Sequence, residues 1–345
     1  MANKSYLSKA PALKREAKRI TVLGDGGWGT CLAVLLANQG HGVTLWGHSP
    51  EHMSQIVRAG QNKHFLSGVP IPKSVCLTSQ LSQAWDNPDV VVLAVPSQHL
   101  RKVLEQAADF DWGNRLIVSA SKGIEERTLL RMSGVIRSVA PTGRIVALSG
   151  PSISYEVARG IPTAVVAASS SIRFAQQVQA IFSGERFRVY TSTDMIGVEL
   201  GGSLKNVIAI ACGIADGLGF GTNTKAALVT RGIVEMARLG IAMGARRDTF
   251  SGLSGLGDLV TTCFSTYSRN RGVGEKLGKG IPLPKITRKM EQVAEGVPTT
   301  KSAYQLGEQY QVDMPITSAV YRVLCEGESP LEMVRELMLR EPKPE

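Results

Sequence analysis

Short apolar runs alternate with segments of helical period through the first half of the chain. Ile20–Leu23, Val43–Trp46, Val90–Val95, Leu116–Ala120 and Ile145–Leu148 read as buried strands, with weaker candidates at Val75–Thr78, Thr163–Ala168 and Arg188–Thr191. Helical patterns lie between most of them. This is the rhythm of βαβ units, and it predicts an α/β fold with a doubly wound parallel sheet. Right-handed crossovers then place all the strand C-termini along one edge, where such sheets take their ligands. After Thr191 the strands disappear. Helix-period segments take over, roughly Asp194–Ala215, Lys225–Met243 and Thr300–Cys325, with the glycine-rich stretch Ser251–Asp258 between them. This half predicts an all-α C-terminal domain closing over the sheet.

The first strand runs directly into Gly24-Asp25-Gly26-Gly27-Trp28-Gly29, and a helical segment follows from Thr30. A strand, a GxGxxG turn and a helix in register form the context of a dinucleotide site. Gly24 permits the tight turn, Gly26 lets the backbone approach a pyrophosphate, and Gly29 lets helix and strand pack closely. The helix N-terminus then receives the anion. The sheet is therefore Rossmann-like. The chain divides into a basic tail (1–18), a dinucleotide-binding domain (19–191), an all-helical substrate domain (192–340) and a short tail (341–345) expected to be disordered. In a strict NAD site an acidic residue ends the second strand, about 20 residues after the glycines. Here that strand ends Leu45-Trp46-Gly47-His48-Ser49-Pro50, with no acid before Glu51. His48 and Ser49 suit a 2′-phosphate, which favours NADPH, or dual use of NADPH and NADH, over strict NAD. The alternative is that His48 is a plain exposed loop residue.

Composition narrows the class. The 345 residues are 43% apolar and 20% charged, as in globular proteins with two ordinary domains. No run approaches the ~18 continuous apolar residues of a membrane span. The five cysteines (Cys31, Cys76, Cys212, Cys263, Cys325) are scattered, odd in number and without a CxxC. That argues for a reducing compartment, the cytoplasm, and against disulfides or structural zinc. The net charge is +10, and Lys4, Lys9, Lys14, Arg15, Lys18 and Arg19 face only Glu16 near the start. This segment has no apolar core of a secretory signal. It reads as a solvated tail or the remnant of an organelle-targeting segment. The remaining positive balance suits an anionic ligand. No basic and aromatic interleaving of the kind that stacks nucleic-acid bases is visible.

All five histidines (His41, His48, His52, His64, His99) lie in the first 99 residues. The helical domain therefore has no histidine acid–base and no histidine zinc site, and a lysine is the natural proton donor. In Met195–Gly217, Ile196, Leu200, Leu204, Ile208, Ala211 and Ala215 form an apolar stripe, and Lys205 stands beside it. Its side chain leans toward Gly202 and Gly201. Two glycines within a helix cost about 1 kcal/mol each against alanine, which makes sense if something must approach there. Otherwise the glycines serve helix packing and Lys205 snorkels to solvent. Lys122, in Ser119-Ala120-Ser121-Lys122-Gly123, stands just past a strand end, and Gly150-Pro151-Ser152 follows another in the same way. Ser268-Arg269-Asn270-Arg271 offers guanidinium and amide donors suited to a phosphate. Taken alone, each of these segments is more often an ordinary surface loop.

Read together, the segments resemble the NAD(P)-dependent glycerol-3-phosphate dehydrogenase family of bacterial and plastid type, from about Arg19 to about Leu337. The most specific part is Gly202-Ser203-Leu204-Lys205-Asn206, continuing to Thr222-Asn223. Ser203 stands where Ala or Thr is usual, and Asp25 stands in the glycine loop where small residues are commoner. The resemblance implies reversible reduction of dihydroxyacetone phosphate to sn-glycerol 3-phosphate by NAD(P)H, feeding phospholipid synthesis. It implies that Lys205 donates and accepts the proton, and that Lys122 binds substrate, polarises its carbonyl and touches the cofactor. Gly150 and Ser152 would line the substrate pocket beside Asn206, and Asp258, on the glycine-rich loop, would face the substrate and orient Lys205. Ser268, Arg269 and Asn270 would hold the phosphate, with Arg269 also reaching the cofactor. Gly27, Trp28, His48, Ser154, Val293 and Glu295 would contact the dinucleotide. It leaves a homodimer open, and a plastid stroma if the source is a plant. The rivals are a β-hydroxyacid dehydrogenase and a non-catalytic dinucleotide sensor or nucleic-acid binder. The former has a Lys-x-x-x-Asn arrangement and needs a carboxylate site, whereas here Asn206 follows Lys205 directly.

Overall fold

The fold was read from a computed structural model, which describes residues 16–290 and 293–342. Lys4, Lys9, Lys14, Arg15 and the last three residues lie outside them. Lys18 pairs with Glu16 at 2.7 Å, and Glu341 and Pro342 carry no regular structure.

Eight strands form one sheet: β1 (Arg19–Leu23), β2 (Gly42–Trp46), β3 (Cys76–Thr78), β4 (Val90–Leu93), β5 (Leu116–Ser119), β6 (Ile145–Ser149), β7 (Thr163–Ala168) and β8 (Phe187–Ser192). The order is β3-β2-β1-β4-β5-β6-β7-β8. The central strands are apolar on both faces. Val22, Val92, Val118 and Val146 pack into the core on one side. Leu23, Val91, Leu93, Ile117 and Ile145 pack into that on the other. Continuous Val/Ile/Leu runs are what strands covered on both faces require.

The sheet is not wholly parallel. β7 runs antiparallel to β6, and β8 lies parallel to β7, so the expectation that every strand C-terminus shares one edge fails for these two. The connection from Ser149 to Thr163 remains on the ligand edge. It lays the short helix Ser154–Ala158 on the helix Gly27–Asn38, then feeds β7 back in the opposite sense. A parallel return needs a full crossover of a dozen or more residues, usually a helix laid along the sheet.

Beyond Ser192 the described residues are helical. The helix Met195–Gly217 is the axis of this half. The expected apolar stripe understates it, because nearly every residue from Val198 to Ala215 is buried. A helix apolar all round is a core helix or a membrane span. This one is long and apolar enough to cross a membrane, but 89% of its apolar window is buried inside the protein. Helices Thr222–Ala242, Asp258–Phe264, Arg269–Gly278 and Gly296–Gln309 surround it.

Two readings of this half need correction. Thr300–Cys325 is not one helix: it breaks after Gln309, with Gln311 at φ +54°, and resumes at Pro315–Tyr321. Proline cannot donate within a helix, so it opens the new one. Glu235 caps that start, accepting from the amides of Ile316 at 2.5 Å and Thr317 at 3.1 Å. The glycine-rich stretch is not a loop either. Leu253–Gly257 is a π-helical turn leading straight into Asp258–Phe264. Such turns insert an extra residue and recur at functional sites.

Candidate active site

The glycine turn has the geometry that its residue types predict. Gly24 has φ +116°, and a Cβ there would lie 2.5 Å from the Ala94 carbonyl oxygen. A Cβ on Gly29 would overlap the Gly24 carbonyl, and one on Gly27 would meet the Phe65 carbonyl oxygen at 2.8 Å. At Gly26 a Cβ would meet nothing within 4 Å. The space over Gly26 therefore opens toward the cleft. The helix Gly27–Asn38 begins there without a side-chain cap, leaving first-turn amides for an anion. Trp28 Nε1 is buried without a partner. These observations fit a dinucleotide pyrophosphate.

A cleft of about 1690 Å³ runs from this turn to the helical half. Gly24, Gly26, Gly27, Trp28, His48, Lys122, Ser152, Ser154, Lys205, Asn206, Asp258, Ser268, Arg269, Asn270, Val293 and Glu295 all line it. Gly29 and Gly150 do not; they stand behind the lining. Gly150, at φ +140°, turns its carbonyl to accept from Lys122 Nζ at 3.1 Å and Ser152 Oγ at 2.9 Å.

At the centre, Asp258 holds two lysines. Its Oδ2 is 2.6 Å from Lys122 Nζ, and its Oδ1 is 2.5 Å from Lys205 Nζ. The three come from the sheet edge, the axial helix and the start of the helix that follows the π turn. Lys205 is 7% exposed, so it does not snorkel. The two helix glycines let its neighbours in. A Cβ on Gly201 would lie 2.5 Å from the Ser254 carbonyl oxygen, and one on Gly202 would overlap the Ser149 hydroxyl. Burial is the main force on the Lys205 ammonium and draws its pKa down to about 8, helped by the Lys122 charge and opposed by that of Asp258. Thr262, which the sequence reading missed, completes the arrangement. Its hydroxyl accepts from Lys205 Nζ at 2.8 Å and donates to the Asp258 carbonyl at 2.6 Å. The spacing from Asp258, one helical turn, was the available signal.

Ser268 caps the helix Arg269–Gly278, its Oγ accepting from the Arg271 amide. The N-terminus of that helix lies at the cleft, with Arg269 exposed there and donating to the Val293 carbonyl at 2.7 Å. Asn270 is a clip. Its Nδ2 donates to Asn206 Oδ1 and its Oδ1 accepts from the Gly296 amide, both at 2.8 Å. Arg271 leaves the group, pairing with Asp216 at 2.6 Å. Glu295 accepts from the Ser97 amide at 2.9 Å and from its hydroxyl, at the start of the helix Ser97–Glu105. This ties the helical half to the sheet edge. Among the described residues no cluster of His, Cys, Asp and Glu is fit for a metal.

A Rossmann-like sheet, an open glycine turn and a buried lysine–carboxylate–lysine centre define an oxidoreductase that works with a dinucleotide. The chain matches the NAD-dependent glycerol-3-phosphate dehydrogenase N-terminus over residues 19–175 and C-terminus over 194–335, and it belongs to that family. It is 49% identical over 329 residues to a glycerol-3-phosphate dehydrogenase [NAD(P)+] of Chlorobium limicola, covering 94% of this chain and 99% of the relative. It is 51% identical over 331 residues to that of Geobacter metallireducens, covering 95% and 99%. The crystal structure of glycerol-3-phosphate dehydrogenase from Coxiella burnetii superposes with a TM-score of 0.90 at 37% identity, covering 94% of this chain and 99% of that one.

The open space over Gly26 is testable. Gly26→Val fills it, and the protein should remain folded while binding of NADH and NADPH is lost by calorimetry. Unchanged affinity would overturn the assignment of the turn.

Proposed function

We propose a division of labour for the family's reaction, the reversible reduction of dihydroxyacetone phosphate to sn-glycerol 3-phosphate with NAD(P)H. The observation that carries it is the Lys122–Asp258–Lys205 bridge, set between the glycine turn and the N-terminus of the helix Arg269–Gly278. When bound, the nicotinamide supplies a hydride to the ketone carbon. Lys205 protonates the oxygen as it becomes an alkoxide, and takes the proton back in the reverse direction. Its lowered pKa suits both directions near neutrality. Lys122 binds the substrate carbonyl and shares the stabilisation of its developing charge, so the chain needs no metal for this step. Asp258 holds both ammoniums in place, and Thr262 fixes the Lys205 end.

The phosphate is received by Arg269 and by the backbone amides behind Ser268, where the helix end favours an anion. Asn270, with its amide engaged at both ends, mainly positions that end against Asn206 and Gly296. Val293 and Glu295 line the cleft together with Trp28 and Ser154 and would contact the cofactor. All five cysteines are free thiols, which supports a reducing compartment, the cytoplasm, where the product would supply glycerophospholipid synthesis.

Lys205→Ala should lower kcat for dihydroxyacetone phosphate by about 10²–10⁴ and leave cofactor binding nearly unchanged. Near wild-type turnover would remove Lys205 from the chemistry.

Arg269→Ala should weaken use of dihydroxyacetone phosphate by roughly 1.5–3 kcal/mol, the worth of a charge-assisted bond. With unphosphorylated dihydroxyacetone, a poor substrate, the same change should matter little. Equal losses on both substrates would show that Arg269 serves the cofactor or the fold instead.

A further inference from the structure

The second strand brings no acid to the place where a dinucleotide's adenosine ribose is held, yet a carboxylate stands there. β2 ends at Trp46 and the next residue is Gly47. A side chain at Gly47 would compete for space with Asp25, since its Cβ would lie 2.5 Å from Asp25 Cγ, and would push on the end of the Met53 side chain, 2.6 Å from Sδ. Asp25, the second residue of the glycine turn, reaches across and fills the position that a side chain at the strand end would take. It is 7% exposed and lines the cleft.

His52 holds the Asp25 carboxylate, and Asn62 and Thr30 hold the backbone of the same residue. Its Oδ2 is 2.8 Å from His52 Nδ1, on the helix Pro50–Ala59 that starts just after β2. Its own backbone carbonyl accepts from Asn62 Nδ2 at 2.7 Å and from Thr30 Oγ1 at 3.3 Å. His52 engages one carboxylate oxygen, and the other retains acceptor capacity for a hydroxyl.

We propose that Asp25 is a specificity-determining residue that replaces the missing strand-end acid and selects NADH over NADPH. The proposal rests on the reading of this cleft as a nicotinamide-dinucleotide site, and it names the cofactor within it. A carboxylate accepts a hydrogen bond from a ribose 2′-hydroxyl. A 2′-phosphate would bring close to two negative charges against it in a partly buried site, where charges are weakly screened. Glu51, at the same end of the cleft, adds to the repulsion. His48 and Ser49 line that end too, but the nearby His52 is already committed to Asp25. The sequence alone favours NADPH or dual use, from His48, Ser49 and the absence of a strand-end acid; the Asp25 carboxylate favours NADH instead.

The test is calorimetric binding of NADH and of NADPH to the full-length protein and three variants, alongside oxidation of each cofactor with dihydroxyacetone phosphate. The wild type should bind NADH at least about tenfold more tightly than NADPH. Asp25→Asn keeps the size and a hydrogen bond to His52 but removes the charge. It should cut that ratio by about tenfold, as should Asp25→Ser. Adding G47D to D25S returns an acid to the strand end and should restore the NADH preference. Tighter or equal NADPH binding by the wild type overturns the proposal. So does an equal loss of both cofactors in Asp25→Asn, which would make Asp25 a brace for the turn. Failure of the wild type to bind or oxidise either cofactor would instead overturn the reading of the cleft itself.

Discussion

The Asp258 carboxylate, buried between two ammonium groups, is the constraint around which this molecule is arranged. Taking charges from water into a protein costs several kcal/mol per ion, and close partners must offset it. Asp258 is 1% and Lys205 7% exposed. The bridge leaves one net positive charge at the floor of the cleft. The Asp258 charge favours the Lys205 ammonium less than burial disfavours it. One lysine therefore titrates near neutrality and the centre is electrophilic. Removing Asp258 would leave two ammoniums facing each other without a counter-charge, so the carboxylate serves structure and chemistry together.

Much of the fold follows from bringing these three residues to one point. Lys122 comes from the end of a central strand. Lys205 comes from a helix buried all round, which keeps water from its stem. Asp258 directly follows a π turn that packs against that helix only because Gly201 has no side chain, and that folds back on Phe250 only because Gly255 has none. The cofactor end is joined to the centre through contacts between the halves: Glu295 with Ser97, and Glu199 with Ser133 and Arg131. Glu295 is pushed toward its neutral form by burial, against the pull of the Ser97 donors and Arg269.

The strands, the glycine turn and the two lysines were legible in the sequence because each has a local signature: apolar runs, glycine spacing, a cation amid apolar residues. The reversal of β7 was not, since strand direction is set by where the Ser154–Ala158 helix packs rather than by the strand's own residues. The π turn reads as a flexible loop because its glycines are there for close packing, which composition does not distinguish from freedom. Thr262 and the clip at Asn270 were hidden or misread for a related reason. A hydroxyl or an amide reveals its partner only once Lys205, Asn206 and Gly296 are brought beside it. Arg271 belonged to the phosphate group by adjacency alone, and helix geometry turns it to Asp216 instead.

The central claim, that Asp258 raises the proton affinity of Lys205 against the lowering by burial, is tested most directly by the pH dependence of kcat/KM for dihydroxyacetone phosphate, which reports the free enzyme. Reduction needs the Lys205 ammonium. The rate should therefore hold below about pH 8 and fall above it, while glycerol-3-phosphate oxidation, which needs the neutral amine, should rise over the same range. In Asp258→Asn the group that raises the Lys205 pKa is gone, and the alkaline limb of reduction should move to lower pH. A limb that stays in place in Asp258→Asn, or moves to higher pH, would contradict the account.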